Sequence, residues 1–255
     1  MEMLRADETS FGSGVTMPFK VEVIPYLDEL TPEGKAIGAI NTIFYKPGSN
    51  GQRIFCGTNT DCIGVRDAFL YNVSDPSIFT GRPGLVVGGG GTCRAAVYSL
   101  QTFLGCAPIY IINRDKSEVD AVIDECKARG FGENIIHVST VAQAQELQAP
   151  GAIVSAVPDF PPVTENEKVA REALAILLNK PEKGALLEMC YHPSPNTEIS
   201  ALAKKSGWPV IVGTEAMVGQ GFEQARLWTG IEITPEMRES ARKSVQEAIS
   251  TRHNL

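Results

Sequence analysis

Lys20 and Asp61 are the side chains whose types and surroundings in this chain of 255 residues best suit proton transfer to a carbonyl oxygen. Lys20 closes the string Val15-Thr16-Met17-Pro18-Phe19-Lys20, and Asp61 closes Asn59-Thr60-Asp61. A lysine is a cationic proton donor, and here a lone carboxylate is paired with it. Taken singly, each has a plainer reading: most lysines are solvated surface residues, and Asn-Thr-Asp is a good helix N-terminus. Downstream, the apolar run Leu85-Val86-Val87 opens into Gly88-Gly89-Gly90-Gly91-Thr92, the pattern of a strand turning into a helix. Gly88 would allow the tight turn, Gly90 would let backbone approach a pyrophosphate, and the amides that follow would face the phosphates. A proton donor, a carboxylate and a dinucleotide cradle are the working parts of a carbonyl reductase.

The elements needed to position these residues are legible in the pattern. Up to about residue 79, short strands mix with helices. Residues 28–37 have an acidic first turn and a helical apolar rhythm. Residues 42–45 and 53–56 read as strands joined by the turn Pro47-Gly48-Ser49-Asn50-Gly51, and residues 61–71 as a helix. After the linker Thr80-Gly81-Arg82-Pro83-Gly84, buried-type strands alternate with helices: 84–87, 92–104, 109–113, 117–129, 135–138, 141–146 and 152–156, then 185–189, 198–206 and 209–212. That alternation predicts a parallel sheet with helices on both faces. A charged amphipathic helix follows from Pro235. At the end of the second strand of this region stand Asn113 and Arg114, where an acidic residue would grip the ribose of NAD. Asparagine does not repel a 2′-phosphate and Arg114 can bind one, a slight lean to NADP, which Asp115 opposes.

Composition narrows the function classes. The net charge of −7 argues against a nucleic-acid or anionic-membrane surface, both of which need a basic footprint. No apolar run approaches the ~20 residues of a membrane span, and the residues after Met1 lack the apolar centre of a signal peptide. Cys56, Cys62, Cys93, Cys106, Cys126 and Cys190 include no Cys-x-x-Cys pair, and with three scattered histidines they assemble no zinc set. Reduced, buried thiols in a cytoplasmic protein are the expectation.

Taken in order, the motifs resemble those of the shikimate/quinate dehydrogenase family along almost the whole chain. Val15 to Lys20 is similar to Val-Thr-x-Pro-x-Lys, Gly38-Ala39-Ile40-Asn41-Thr42 to Gly-Ala-x-Asn-Thr, and Gly57-Thr58-Asn59-Thr60-Asp61 to Gly-x-Asn-Thr-Asp. Gly88 to Ala95 fits Gly-x-Gly-Gly-x-x-x-Ala, with Cys93 at a free position. Glu188-Met189-Cys190-Tyr191-His192-Pro193 resembles Asp-x-x-Tyr-x-Pro, with Glu188 for Asp. Gly213-Thr214-Glu215-Ala216-Met217, Gln220-Gly221 and Leu227-Trp228-Thr229-Gly230 match the closing signature. The wording of Pro25-Tyr26-Leu27-Asp28-Glu29-Leu30 is similar to fungal quinate-pathway members.

The resemblance implies an α/β fold with a substrate domain (residues 1–81), a Rossmann-type NAD(P)-binding domain (82–213) and C-terminal helices (214–255) returning to the first domain. It implies reversible hydride transfer between a nicotinamide cofactor, NADP or NAD, and the C3 oxygen of shikimate or quinate. Lys20 and Asp61 would be catalytic. Thr16, Asn41, Tyr191 and Gln220 would bind substrate. Gly88, Gly90, Gly91, Thr92, Asn113, Arg114, Ser155, Gly213 and Met217 would bind cofactor, with no metal. The family's opening strand and helix, whose serines grip the substrate carboxylate, precede the lysine motif, and Met1 falls just before that motif here; the expectation is a substrate domain short of that element. Two other readings stand beside the enzyme: a non-catalytic ligand sensor of the quinate-repressor type, and a fragment of a multifunctional shikimate-pathway polypeptide. The pattern fixes no oligomeric state.

Overall fold

The structure is a computed structural model and describes residues 1–192 and 194–253. The chain opens with helix α1 (Glu2–Ala6), strand β1 (Gly12–Gly14), helix α2 (Phe19–Glu22), strand β2 (Glu29–Leu30), helix α3 (Pro32–Ile37) and the strands β3 (Thr42–Pro47) and β4 (Arg53–Thr58). The strands form one sheet in the order β1-β3-β4-β2. β3 and β4 are the expected antiparallel hairpin, pinned where Tyr45 faces Phe55 with ring centroids 4.6 Å apart, edge to face.

Residues 28–37 are not one helix. Thr31 accepts a hydrogen bond from the Gly34 N–H at 3.1 Å and so caps α3, with Pro32 in the first turn, where its missing N–H costs nothing. Asp28 instead accepts the Phe55 N–H at 2.8 Å, which draws β2 alongside β4. β1 went unread in the sequence because Gly-Ser-Gly carries no strand propensity; its pairing with β3 makes it a strand.

Helix α4 (Asp61–Asn72) leads to the second sheet. Its strands and helices alternate: β5 (Gly84–Val87), α5 (Cys93–Tyr98, extended by a π-helical turn Ser99–Phe103), β6 (Ile109–Ile112), α6 (Lys116–Ala128), β7 (Ile135–His137), α7 (Val141–Glu146), β8 (Ala152–Ser155), α8 (Glu165–Asn179), β9 (Ala185–Glu188), α9 (Glu198–Lys205) and β10 (Val210–Val212). All six strands are parallel, in the order β10-β9-β8-β5-β6-β7. This is the doubly wound dinucleotide-binding order, reversing between β5 and β8. Side chains alternate across it. Val86, Ile109, Ile111, Val154 and Leu187 pack with α4, α5 and α6 on one face; Leu85, Val87, Ile112, Ile153 and Leu186 pack with α7, α8 and α9 on the other. α8 was not foreseen, although Thr164 and Glu167 form a full capping box at its start.

Helix α10 (Gly213–Thr229) joins the two sheets, and α11 (Pro235–His253) closes the chain. α10 crosses α4 where both carry glycine. A methyl added at Gly64 would run into the Ala216 carbonyl oxygen, and one at Gly219 would come within 2.9 Å of Asp67 Cβ. Further along α10, the Trp228 indole N–H donates to the Ile43 carbonyl of β3 at 2.9 Å. α11 is tied down by ion pairs from Arg238 to Asp67 at 3.6 Å and from Arg242 to Glu215 at 3.0 Å. No helix among the described residues is long and apolar enough to cross a membrane.

Candidate active site

Lys20 lies on α2 and Asp61 opens α4, and backbone pairing brings their segments together. The Val15 N–H donates to the Asn41 carbonyl, and the Ile40 N–H to the Lys20 carbonyl, each at 2.7 Å. This lays the lysine motif along the Gly38–Thr42 loop. Lys20 Nζ then donates to Asp61 Oδ2 at 2.7 Å, with the two side chains 25% and 15% exposed. The pair is thus sheltered but reachable, as a proton-transferring group must be.

Asn41, almost wholly buried, fixes the carboxylate from the other side. Its Nδ2 donates to Asp61 Oδ1 at 2.8 Å, while its Oδ1 accepts the Thr60 N–H at 2.7 Å and the Thr42 hydroxyl at 2.9 Å. The Thr42 hydroxyl in turn accepts from Gln224 Nε2 on α10 at 3.0 Å. A line of polar contacts therefore runs Gln224–Thr42–Asn41–Asp61–Lys20. Gln224 was missed in the sequence; its only signal was its place one helical turn beyond Gln220. Gln220 packs against α4 at Gly64. Thr16 is exposed at the start of the lysine motif.

The glycine turn follows β5. Gly88 sits at φ 122°, a conformation that L side chains rarely adopt, and a Cβ at Gly90 would meet nothing within 4 Å, leaving backbone open to a ligand. A methyl at Gly91 would lie 3.5 Å from Met17 Sδ, so the lysine motif abuts the turn. Thr92 precedes α5. Together Gly88, Gly89, Gly90, Asn113, Arg114 and Pro158 line part of a cleft of about 350 Å³. At the ends of neighbouring strands, Ser155 is fully buried and faces Glu188 in register, with its hydroxyl turned to that carboxylate. A strand-to-helix glycine turn whose backbone lies open to a cleft fits a nicotinamide dinucleotide.

Glu188 is buried, and that burial pushes its carboxyl above the usual carboxylate range. It accepts the Thr197 hydroxyl at 2.8 Å and the Cys190 N–H at 3.1 Å, anchoring both ends of the loop that carries Tyr191. Tyr191 and Met217 are partly exposed beside this loop and on α10. Gly213 begins α10 so close to β9 that a methyl there would lie 2.6 Å from the Met189 carbonyl oxygen. Pro193 of the same motif lies outside the described residues.

Asn113 donates from Nδ2 to Glu118 Oε2 at 2.6 Å, and Arg114 forms an ion pair with Glu167 of α8. Asp115 caps α6, accepting the Ser117 N–H at 2.8 Å. All six cysteines are unpaired, five of them buried, and burial raises the Cys93 thiol to about 12. Among the described residues no group of His, Cys, Asp or Glu could hold a metal ion.

Known proteins resemble this chain over most of its length. Residues 1–43 match the family model described as the shikimate dehydrogenase substrate binding domain. Over 261 aligned residues the chain is 43% identical to the quinate dehydrogenase of Emericella nidulans, covering 99% of this chain and 79% of that protein. The chain belongs to the shikimate/quinate dehydrogenase family. Members of this family are oxidoreductases acting on a CH–OH group. Among solved structures, the dehydroquinate dehydratase and shikimate dehydrogenase from S. pombe AroM superposes with a TM-score of 0.76 at 33% identity, over 90% of this chain and 42% of that one. The quinate dehydrogenase from Corynebacterium glutamicum in complex with NAD superposes with a TM-score of 0.70 at 25% identity, over 91% of this chain and 77% of that one. The α/β architecture of two sheets seen here is that of these shikimate/quinate dehydrogenases.

Proposed function

We propose that the chain catalyses the reversible NAD(P)-linked reduction of 3-dehydroquinate to quinate or of 3-dehydroshikimate to shikimate. The observation that carries this reading is the Lys20–Asp61 pair, held by Asn41 and set against the glycine turn through Met17. A bound nicotinamide supplies or accepts the hydride. In reduction, Lys20 Nζ gives a proton to the substrate oxygen as the carbonyl becomes a hydroxyl, and in oxidation it takes that proton back. Asp61 steadies the ammonium and accepts from the same hydroxyl. Asn41, with one oxygen of Asp61 in hand, keeps the other turned to Lys20. Thr16, Gln220 and Tyr191 line the substrate side, and Ser155, Gly213 and Met217 the nicotinamide side.

The organisation that goes with this function divides at residue 81 into a substrate domain and a dinucleotide domain reaching residue 213, with the C-terminal helices of 214–255 packing back on the first. Unpaired cysteines suit a cytoplasmic setting. A sensor of quinate would not need the Lys20–Asp61 pair, so the enzyme is the reading taken forward. The test is direct: purified protein is given quinate and shikimate with NAD and with NADP, and reduced nicotinamide is followed by absorbance. Failure to turn over any of the four combinations would overturn the proposal.

A further inference from the structure

The end of β6 carries the charge pattern that decides which dinucleotide fits, and the residue that sets it comes from another element. The charged side chains lining the cleft are Arg114, Glu118, Glu167 and Arg171. Both cations are already engaged. Arg114 pairs with Glu167, and Arg171 pairs with Glu198 at 2.8 Å. Glu167 is itself held fast: its Oε2 accepts the Val163 N–H at 2.9 Å and the Thr164 N–H at 2.8 Å as part of the α8 capping box. Those backbone donors, with Arg114 behind them, hold its carboxyl down at about 2, so it is ionised at any physiological pH. Asn166 adds a second tie, donating from Nδ2 to the Arg114 carbonyl at 3.2 Å.

The other polar groups near β6 are committed in the same sense. Glu118 holds the Asn113 amide, and both crowd Gly89, where an added methyl would meet Asn113 Nδ2 at 2.5 Å. A 2′-phosphate brings close to two negative charges at neutral pH. Here it would arrive among carboxylates and would have to share Arg114 with Glu167, which already holds one nitrogen of the guanidinium and neutralises its charge. A ribose 2′-hydroxyl needs only an acceptor, and carboxylates are what this end of the sheet offers.

Resting on the reading of the chain as a nicotinamide-dependent dehydrogenase, we propose that Glu167 is its cofactor-specificity residue: by occupying Arg114 it keeps out the 2′-phosphate and selects NAD over NADP. This turns the lean drawn from Asn113 and Arg114 alone to the opposite side.

The test is calorimetric titration of NAD and NADP, and of the fragments AMP and adenosine 2′,5′-bisphosphate, into the full chain and its Glu167→Gln variant. Glutamine still serves a capping box, so α8 should persist, which circular dichroism checks. Wild type should bind NAD more tightly than NADP. Glu167→Gln should move the affinity ratio towards NADP, and towards the bisphosphate fragment, by about tenfold or more, the scale of a charge-assisted hydrogen bond regained. In an Arg114→Ala background the same substitution should leave the ratio within about twofold, since its effect runs through the guanidinium. Wild-type preference for NADP, or a ratio unmoved by Glu167→Gln while NAD still binds, would overturn the role given to Glu167 and leave the dehydrogenase reading standing. Binding of neither dinucleotide by wild type would overturn both.

Discussion

Gln224 Nε2 donates to Thr42 Oγ1 at 3.0 Å, joining residues 182 apart in the chain. Thr42 is fully buried and passes the contact to Asn41, which grips Asp61. α10 thus reaches the Lys20–Asp61 pair through Thr42 and Asn41. Gln224→Ala should lower kcat on the order of tenfold with little change in KM, short of the hundredfold that an ångström of misplacement can cost. Steady-state kinetics with each substrate decide it; a change confined to KM would make Gln224 a binding residue instead.

Lys20→Ala and Asp61→Asn should each cut turnover by roughly a hundredfold or more, the scale of lost general acid–base catalysis. Dinucleotide affinity should hold, because neither side chain lines the glycine cleft. Turnover close to wild type in either variant would remove the pair from the proposed mechanism.

Gly64→Ala should destabilise the fold by about 1–3 kcal/mol, the range for overpacking a tight contact. The added methyl has nowhere to go but into the α10 backbone at Ala216. Urea denaturation gives the difference, and a neutral result would mean that α4 and α10 can part without loss.

Acid stability should depend on Glu167. Its carboxyl lies at about 2 in the fold, below the ~4.3 of an unfolded glutamate, so the folded state binds that proton more weakly. The stabilisation is therefore present above about pH 4.5 and drains away as pH falls from there towards about 2. Glu167→Gln should flatten the fall of the urea midpoint over that window, and parallel profiles for the two proteins would contradict it.

Much of the fold was legible because it is written in local patterns. Apolar runs such as Leu85-Val86-Val87 and Ile109-Tyr110-Ile111-Ile112 announce buried parallel strands, since both faces of such strands are covered. The pattern misleads where local signals compete. Over residues 28–37 an acidic, apolar rhythm outweighed the proline at position 32, and tertiary pairing of Asp28 with β4 decided the matter. Helix α8 hides behind a proline-rich loop, and its one local signal is the capping box of Thr164 and Glu167.

The sequence by itself determined the chemical vocabulary of the site: Lys20, Asp61, Asn41 and the glycine turn are recognisable from residue type and order, because each belongs to a short motif whose geometry is local. Only the tertiary structure decided who holds whom. Asn41 and Asp61 meet because β3 and β4 pair, Gln224 enters because α10 folds back on α4, and Arg114 is claimed by a glutamate 53 residues away. Hydrogen bonds and ion pairs act over a few ångströms of space without regard to separation along the chain. The partner of a charge is therefore set by packing.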